Sequence, residues 1–582
     1  MAKGRPLIEK GSNAMTVADS IFINGKIATL DAKDTFVQAI AVKNGYIIDR
    51  GDTERIKGYA GPETKVVDLD GKVMLPGIHD AHVHICDYSD NLRNTCDCSR
   101  GAAPTLAKLR EVLKAQAEKV GPGNWVRGAG CDDEQLEELA AEGRRLTRWD
   151  IDDVCDNPVV IIMWDGHTCV ANSKALELAG IDANTPDPQG GEIVHNEDGE
   201  PTGLMLEASA LQLVFTGMPR ATVAELKENL IAGQHFMNSM GYTSYTDCTC
   251  GPANTTREVG ASGELSLKAY EELLNEGKLT ARVNIGFYPG KNGIQSYELI
   301  KECLDTFEFP VYNDERWVTM NMLKMFCDGV HMGYTAWMKD DYVDRPGCHG
   351  RSTFCGPDAT DEEQETEIKR CVKLAHDRGW QIGIHAIGNK AAQVVTDAYI
   401  EAQRENPRAD VRHYLIHSDG LGDREDLARA AENGIGISVQ TGLEDFAFEV
   451  TADRVGAERT DLFMAQRDLM DMGVHLANGS DSIGGPYGTW MAGVQAAVTR
   501  RSHITGKQYR PDLGISVTEA LKEFTMGGAW QEHAETWRGS IEINKVADLC
   551  VIDKDIFEID PEQISTIKCV MTVVDGKIVY EA

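Results

Sequence analysis

No apolar run in this chain approaches the roughly 18 residues that a membrane-spanning helix requires, so a bilayer span is excluded. Positive charge is also short, with 58 Lys and Arg against 92 Asp and Glu and a net charge of −34. That balance favours solubility and disfavours nucleic acid or an anionic membrane as partners. Part of the excess sits in 131–138, read as a solvated helix face. Zinc-ribbon pairs of the Cys-x-x-Cys kind are missing, although there are 15 cysteines. Their number is odd and they are scattered. Cys96 with Cys98 and Cys248 with Cys250 are the close pairs, and both are read as ordinary thiols. With no secretory hydrophobic segment at the start, the expectation is reduced thiols in a cytoplasm.

What is present is 582 residues at 42% hydrophobic content, too much chain for one simple core, and two or three domains are expected. Residues 1–14 end in Gly11-Ser12-Asn13-Ala14 before Met15, which resembles a tag-cleavage scar and is set outside the fold. From about residue 17 the pattern is short strands with tight turns. Residues 21–30 and 39–48 each hold an Asn-Gly hairpin signal among alternating apolar residues. The C-terminus returns to this style in 547–552 and 570–579. One small β-sandwich assembled from 15–72 and 537–582 is therefore expected. Between them, over 73–536, strand-like and helix-like stretches alternate as they do in a parallel sheet with crossover helices. Eight strand candidates are read at 73–84, 242–248, 282–288, 318–328, 381–385, 412–417, 434–440 and 474–481. Eight repeats predict an α/β chain with a (β/α)8 TIM barrel, whose chemistry lies at the C-terminal ends of its strands. A segment of about 90–220, with its own strand at 159–164, intervenes after the first barrel strand and is expected to be an inserted lid subdomain.

Asp80-Ala81-His82-Val83-His84 ends the first of these strands. Side chains alternate along a strand, so His82 and His84 point the same way and both reach one metal ion. Imidazole suits zinc and its first-row neighbours. Lys324, His385, His417 and Asp481 each close an apolar, strand-like run of their own. Each taken alone has a bland reading: a strand-end histidine that is merely satisfied, or an aspartate after Gly-Ser that caps a helix. Their joint placement points to a metal-dependent hydrolase.

These segments also resemble a known family. Leu75-Pro76-Gly77 with 80–84, Asp165-Gly166-His167 with 172–176, 191–194, 324–329, 385–388, Arg412-His413 with His417, Gly479-Ser480-Asp481 and 545–549 occur in the order found in the amidohydrolase superfamily. Within it they are similar to the YtcJ-like branch that includes N-substituted formamide deformylases. The resemblance runs from about residue 20 to the end. It implies hydrolysis of a non-peptide C–N bond in a small amide, N-substituted formamide or cyclic amide, by metal-activated hydroxide. It implies two divalent ions, zinc foremost, with His82 and His84 on one and His385 and His417 on the other. Asp481 would ligate metal and shuttle the proton, and Lys324 would be carboxylated and bridge the ions. The plainer alternative for Lys324 is a salt bridge with Asp328. His167 is either a substrate-side hydrogen-bonding group or structural. Trp164, Tyr334 and Trp337 either line an apolar pocket or belong to the core. His79 departs from the motif's usual apolar residue and is read as structural. The loop 331–337 also departs from the branch pattern and is expected to shape specificity. Deamination of a small ring and a non-catalytic regulatory role stay open, and a homodimer is the default assembly.

Overall fold

Buried strands alternating with amphipathic helices build one eight-stranded parallel sheet that curls into a barrel. The computed structural model describes residues 17–582, apart from 134–135, 165–167, 189–191, 207, 254–262, 292–293, 332, 356–358, 419–422, 457–458, 461–462, 464, 482–487 and 503–504. In chain order the barrel strands are β1 (Ile78–Val83), β2 (Tyr242–Cys250), β3 (Arg282–Phe287), β4 (Val318–Phe326), β5 (Gln381–His385), β6 (Tyr414–Ile416), β7 (Gly436–Val439) and β8 (Leu476–Asn478). Neighbours pair in sequence order, all parallel, and the ring closes through a parallel bridge between Val83 and Asp481. Three of the crossover helices, Val223–Ser239, Tyr297–Thr306 and Asp361–Asp377, start on side-chain caps. In helix Asp361–Asp377, Thr360 accepts from the Glu363 amide at 3.3 Å while Glu363 accepts from the Thr360 amide at 2.8 Å.

The stretch 73–84, read as one strand, is two. Val73–Pro76 pairs with Leu549–Ile552 and Lys26–Ala28 in a separate sheet, and only Ile78–Val83 enters the barrel. The break falls at Gly77, where a Cβ would lie 2.2 Å from Thr243 Oγ1. Both halves are fully buried, so the hydrophobic pattern carries no mark of the junction. The Asn24-Gly25 hairpin also fails to form, since Ser20–Ile23 and Lys26–Ala28 on either side of it join different sheets. By contrast Asn44-Gly45, both at positive φ, does join the antiparallel pair Ala39–Lys43 and Tyr46–Gly51. The outcome is a four-stranded and a six-stranded sheet from the two ends of the chain, sharing a core of Phe22, Ile40, Met74, Leu549 and Val573.

The insertion after β1 forms its own six-stranded mixed sheet, from Thr95–Asp97 to Pro201–Leu206, with apolar clusters on both faces. All 15 cysteines are free thiols, and no described helix is long and apolar enough to cross a membrane.

A buried ion pair ties the barrel to the terminal sheets. Arg282 on β3 donates from Nε and Nη2 to Asp548 at 2.7 and 3.0 Å, and its Nη2 also reaches Asp575 at 3.2 Å. Removing one partner of such a pair strands the other charge in the interior. Arg282→Met is expected to lower unfolding free energy by about 3–5 kcal/mol, read as a drop in urea midpoint. An unchanged midpoint would show that the pair does not hold the two units together.

Candidate functional site

The predicted ligands meet at the C-terminal mouth of the barrel. His82 is buried at the end of β1, and His84 begins the helix Ile85–Asn94 just beyond it. Their rings are 5.2 Å apart and nearly perpendicular; His82 lies 5.1 Å from His417, and His417 lies 4.7 Å from His385. Asp481 Oδ1 is 3.0 Å from His82 Nε2 and 3.2 Å from His84 Nε2. Donor atoms of His82, His417 and Asp481 all fall within 4.8 Å of one another, the spacing of a group able to hold a cation. His417 and Asp481 both sit at left-handed φ, 69° and 57°. That conformation is rare for residues with a side chain and is kept only where the surroundings enforce it.

Lys324 points into this cluster from β4. It is 0% exposed, and its Nζ has no hydrogen-bond or ion-pair partner among the described residues. Its Nζ lies 4.4 Å from the centre of the Phe326 ring. The salt bridge to Asp328, the plainer expectation for this lysine, is not made. Asp328 is occupied elsewhere, accepting from the backbone amides of Trp337 at 2.8 Å, Ile387 at 3.0 Å and Gly388 at 2.8 Å. Burial outweighs those bonds and pushes the Asp328 carboxyl up to about 7.

The electrostatics suit ligation. Burial, aided by the charge of Lys324, pushes His82 down to about 3 and His385 down to about 4. Burial and the His385 ring hold His417 well below the ordinary imidazole range. These rings are therefore neutral at physiological pH, and neutral imidazole is the form that donates to metals. Burial also pushes the Lys324 ammonium down to about 8, against the pull of Cys248 and Asp481. For Asp481 burial acts to raise the carboxyl, but hydrogen bonds from His82 and His84 prevail and hold it well below its usual value.

Each first-strand imidazole is oriented through its other nitrogen. His82 Nδ1 shares a hydrogen bond with Cys248 Sγ at 2.9 Å, and His84 Nδ1 shares one with Thr249 Oγ1 at 3.0 Å. Such partners fix ring rotation and tautomer. Neither was evident in the sequence, where the only signal was Cys248-Thr249-Cys250 at the end of a strand.

The other residues singled out are placed as follows. His167 lies outside the described residues. Trp164 is 59% exposed at the end of an insertion strand, with its amide bonded to the Cys131 carbonyl at 2.9 Å. Tyr334 donates its hydroxyl to Asp344 at 2.6 Å, with Arg345 and Arg454 over its ring. Trp337 is completely buried in the apolar core beside β4 and β5. His79 bonds Ser244 at 2.9 Å and lies 3.2 Å from Glu532, within a buried network at the opposite end of the barrel.

An amidohydrolase family model matches residues 65–580. The putative amidohydrolase YtcJ of Bacillus subtilis is 30% identical over 570 residues, covering 97% of this chain and 99% of that protein. The N-substituted formamide deformylase of Arthrobacter pascens is 28% identical over 575 residues, covering 97% and 98%. A crystal structure of an uncharacterized metal-dependent hydrolase from Pyrococcus furiosus superposes with a TM-score of 0.71 at 25% identity, covering 93% of this chain and all of that one.

Asp328 joins the loops after β4 and β5, which carry Lys324 and His385. Asp328→Ala leaves three amides without their acceptor, each at a cost of about 1–3 kcal/mol. A stability loss of at least about 3 kcal/mol is expected by denaturant titration, with faster hydrogen exchange at Ile387 and Gly388. Unaltered exchange there would refute the coupling.

Proposed function

The chain belongs to the amidohydrolase family, and on that footing we propose that it is a metal-dependent enzyme that hydrolyses the C–N bond of a small amide, N-substituted formamide or cyclic amide. The observation that carries the reading is the Lys324 amine, buried without a partner and acting electrostatically on His82, His385 and His417. An unpartnered ammonium is costly to bury. Carboxylation removes that cost: the neutral amine bonds to carbon dioxide, its nitrogen gives up a proton, and an anionic carbamate results. Burial, by lowering the affinity of Lys324 for its proton, raises the share of neutral amine available for this step.

Neutral imidazoles together with a carboxylate and a carbamate form a donor set suited to divalent transition metals, zinc first. His82 and His84 would hold one ion and His385 and His417 a second, with Asp481 and a Lys324 carbamate completing the donor set. When bound, such ions polarise a substrate carbonyl and lower the pKa of water towards neutrality. Asp481 does the proton work. Its carboxylate is ionised at neutral pH, so Oδ1 accepts a proton from the attacking water and delivers it to the departing nitrogen. Cys248 and Thr249 keep the two first-strand rings from turning. His167, Trp164 and Tyr334 are assigned to the substrate side, and the free thiols suit a cytoplasmic enzyme.

Elemental analysis of protein purified without chelator is expected to find at least about two transition-metal ions per chain. Metal-free protein that still hydrolyses an amide would overturn the reading. Lys324→Arg cannot form the carbamate and is expected to lose metal and activity; normal turnover would reduce Lys324 to a packing residue. Asp481→Asn retains an oxygen donor but accepts no proton. In a formamide and amide screen its turnover is expected to fall by roughly 10²–10⁴ while the fold and much of the metal remain. Wild-type turnover by this variant would remove Asp481 from the mechanism.

A further inference from the structure

Outside the barrel wall, behind β2, a second set of donors converges. Cys86 lies in the first turn of the helix that follows His84, and Asp247 and Cys250 lie at the end of β2. Two sulfurs and a carboxylate oxygen fall within 4.8 Å of one another, and all three residues are buried. Positions three apart on a regular strand face opposite ways. Here the pairing of β2 with β3 slips between Asp247 and Cys250, and that irregularity turns both side chains to one side. Tyr270, from helix Glu264–Asn275, closes the group: its hydroxyl donates to Asp247 Oδ2 at 2.7 Å and lies 3.9 Å from Cys86 Sγ. The surroundings are apolar, with Leu267 and Phe287 in the same core cluster. Burial pushes the Asp247 carboxyl up, against hydrogen bonds from Tyr270 and the two thiols.

We propose that Cys86, Asp247 and Cys250 bind one thiophilic divalent cation of the zinc class, at a site separate from the imidazole cluster. Two thiolates and one carboxylate are a tetrahedral zinc donor set short of one ligand. Zinc–sulfur bonds of about 2.3 Å put two coordinated sulfurs about 3.8 Å apart, inside the span these donors already occupy. On binding, each thiol releases its proton to solvent and each sulfur donates a lone pair, with no change of oxidation state. Tyr270 holds the carboxylate from outside. The site would clamp the start of the helix after His84 to the end of β2, where Thr249 bonds the His84 ring. Its role is to fix that imidazole, not to meet substrate.

The test uses full-length protein stripped of metal and reloaded with cobalt(II). The imidazole cluster has no cysteine among its candidate ligands, so a thiolate-to-cobalt charge-transfer band in the near ultraviolet reports the cysteine site alone. Failure of the proposed hydrolase function would leave that band untouched. Wild-type protein is expected to show the band. Cys86→Ser and Cys250→Ser are expected to lose it together with one cobalt per chain, while Cys248→Ser, altered beside His82, keeps it. Should the serine variants fail to fold, cadmium NMR of the wild-type protein decides: a resonance in the sulfur-ligand range supports the site. No charge-transfer band, a band lost only with Cys248, or cadmium signals confined to the nitrogen and oxygen range would each overturn the proposal.

Discussion

Everything at the mouth of this barrel depends on how β1 meets β8. Asp80 Oδ1 accepts from the His82 amide at 3.3 Å and from the Ser480 amide at 2.9 Å, and the Asp481 amide donates to the His82 carbonyl at 2.8 Å. Gly479 lets the strands come this close, because a Cβ there would stand 2.5 Å from the His82 nitrogen. A parallel sheet of this kind closes only if its first and last strands pair, and here the pairing residues are also those that present His82 and Asp481. Closing the fold and bringing the carboxylate to the imidazoles are thus one event. Burial pushes the Asp80 carboxyl up to about 7, although three hydrogen bonds pull the other way, which shows how dry this seam is.

The dryness decides the charge pattern. A neutral imidazole is far cheaper to bury than an imidazolium, so His82, His385 and His417 gather at the mouth without mutual repulsion. One lysine among them is different in kind, since its ordinary form is charged and its Nζ has no described partner. Ordinary proteins place a buried ammonium against a carboxylate, and Asp328 stands only four residues away in sequence. That carboxylate is spent on three backbone amides instead. The arrangement leaves the lysine for a ligand or a modification to satisfy, while the loops on either side of it are held rigid.

Much of this was legible in the sequence, and what was not has identifiable causes. His82 and His84 share a face because strand parity says so, and the alternation of strand-like with helix-like stretches gives the barrel. The break at Gly77 was hidden because both flanking strands are wholly buried, and burial on all sides erases the pattern that marks an edge. Asn24-Gly25 has the composition of a hairpin turn but connects two sheets; turn chemistry fixes local dihedrals, not partners. Asp80 and Asp328 work by accepting backbone amides from distant loops, for which no residue pattern exists. Cys248 and Cys250 share a face by simple parity, yet Cys248 packs with Met322 and Tyr414 inside the barrel and Cys250 packs outside with Tyr270. The slip in β2 separates them, and a slip of one residue exchanges faces.

That slip also bears on how the insertion is coupled to the chemistry. The helix Ile85–Asn94 starts at His84, and its Asp90 pairs with Arg127 from the insertion sheet. Asn229, on the helix that leads into β2, donates to Asp90 Oδ1 at 2.9 Å and accepts from Arg93 at 2.6 Å. One helix therefore has His84 at its start, the irregular end of β2 against its first turn, and the insertion clamped to its last turns by buried charge. A buried arginine–carboxylate pair with an amide bridge is strongly directional, so the insertion is not hung on a loose linker. Movement of the insertion would have to turn this helix, and turning it would shift His84, the imidazole at its start. The route from the insertion to the candidate catalytic cluster is short, polar and rigid, and it runs through His84.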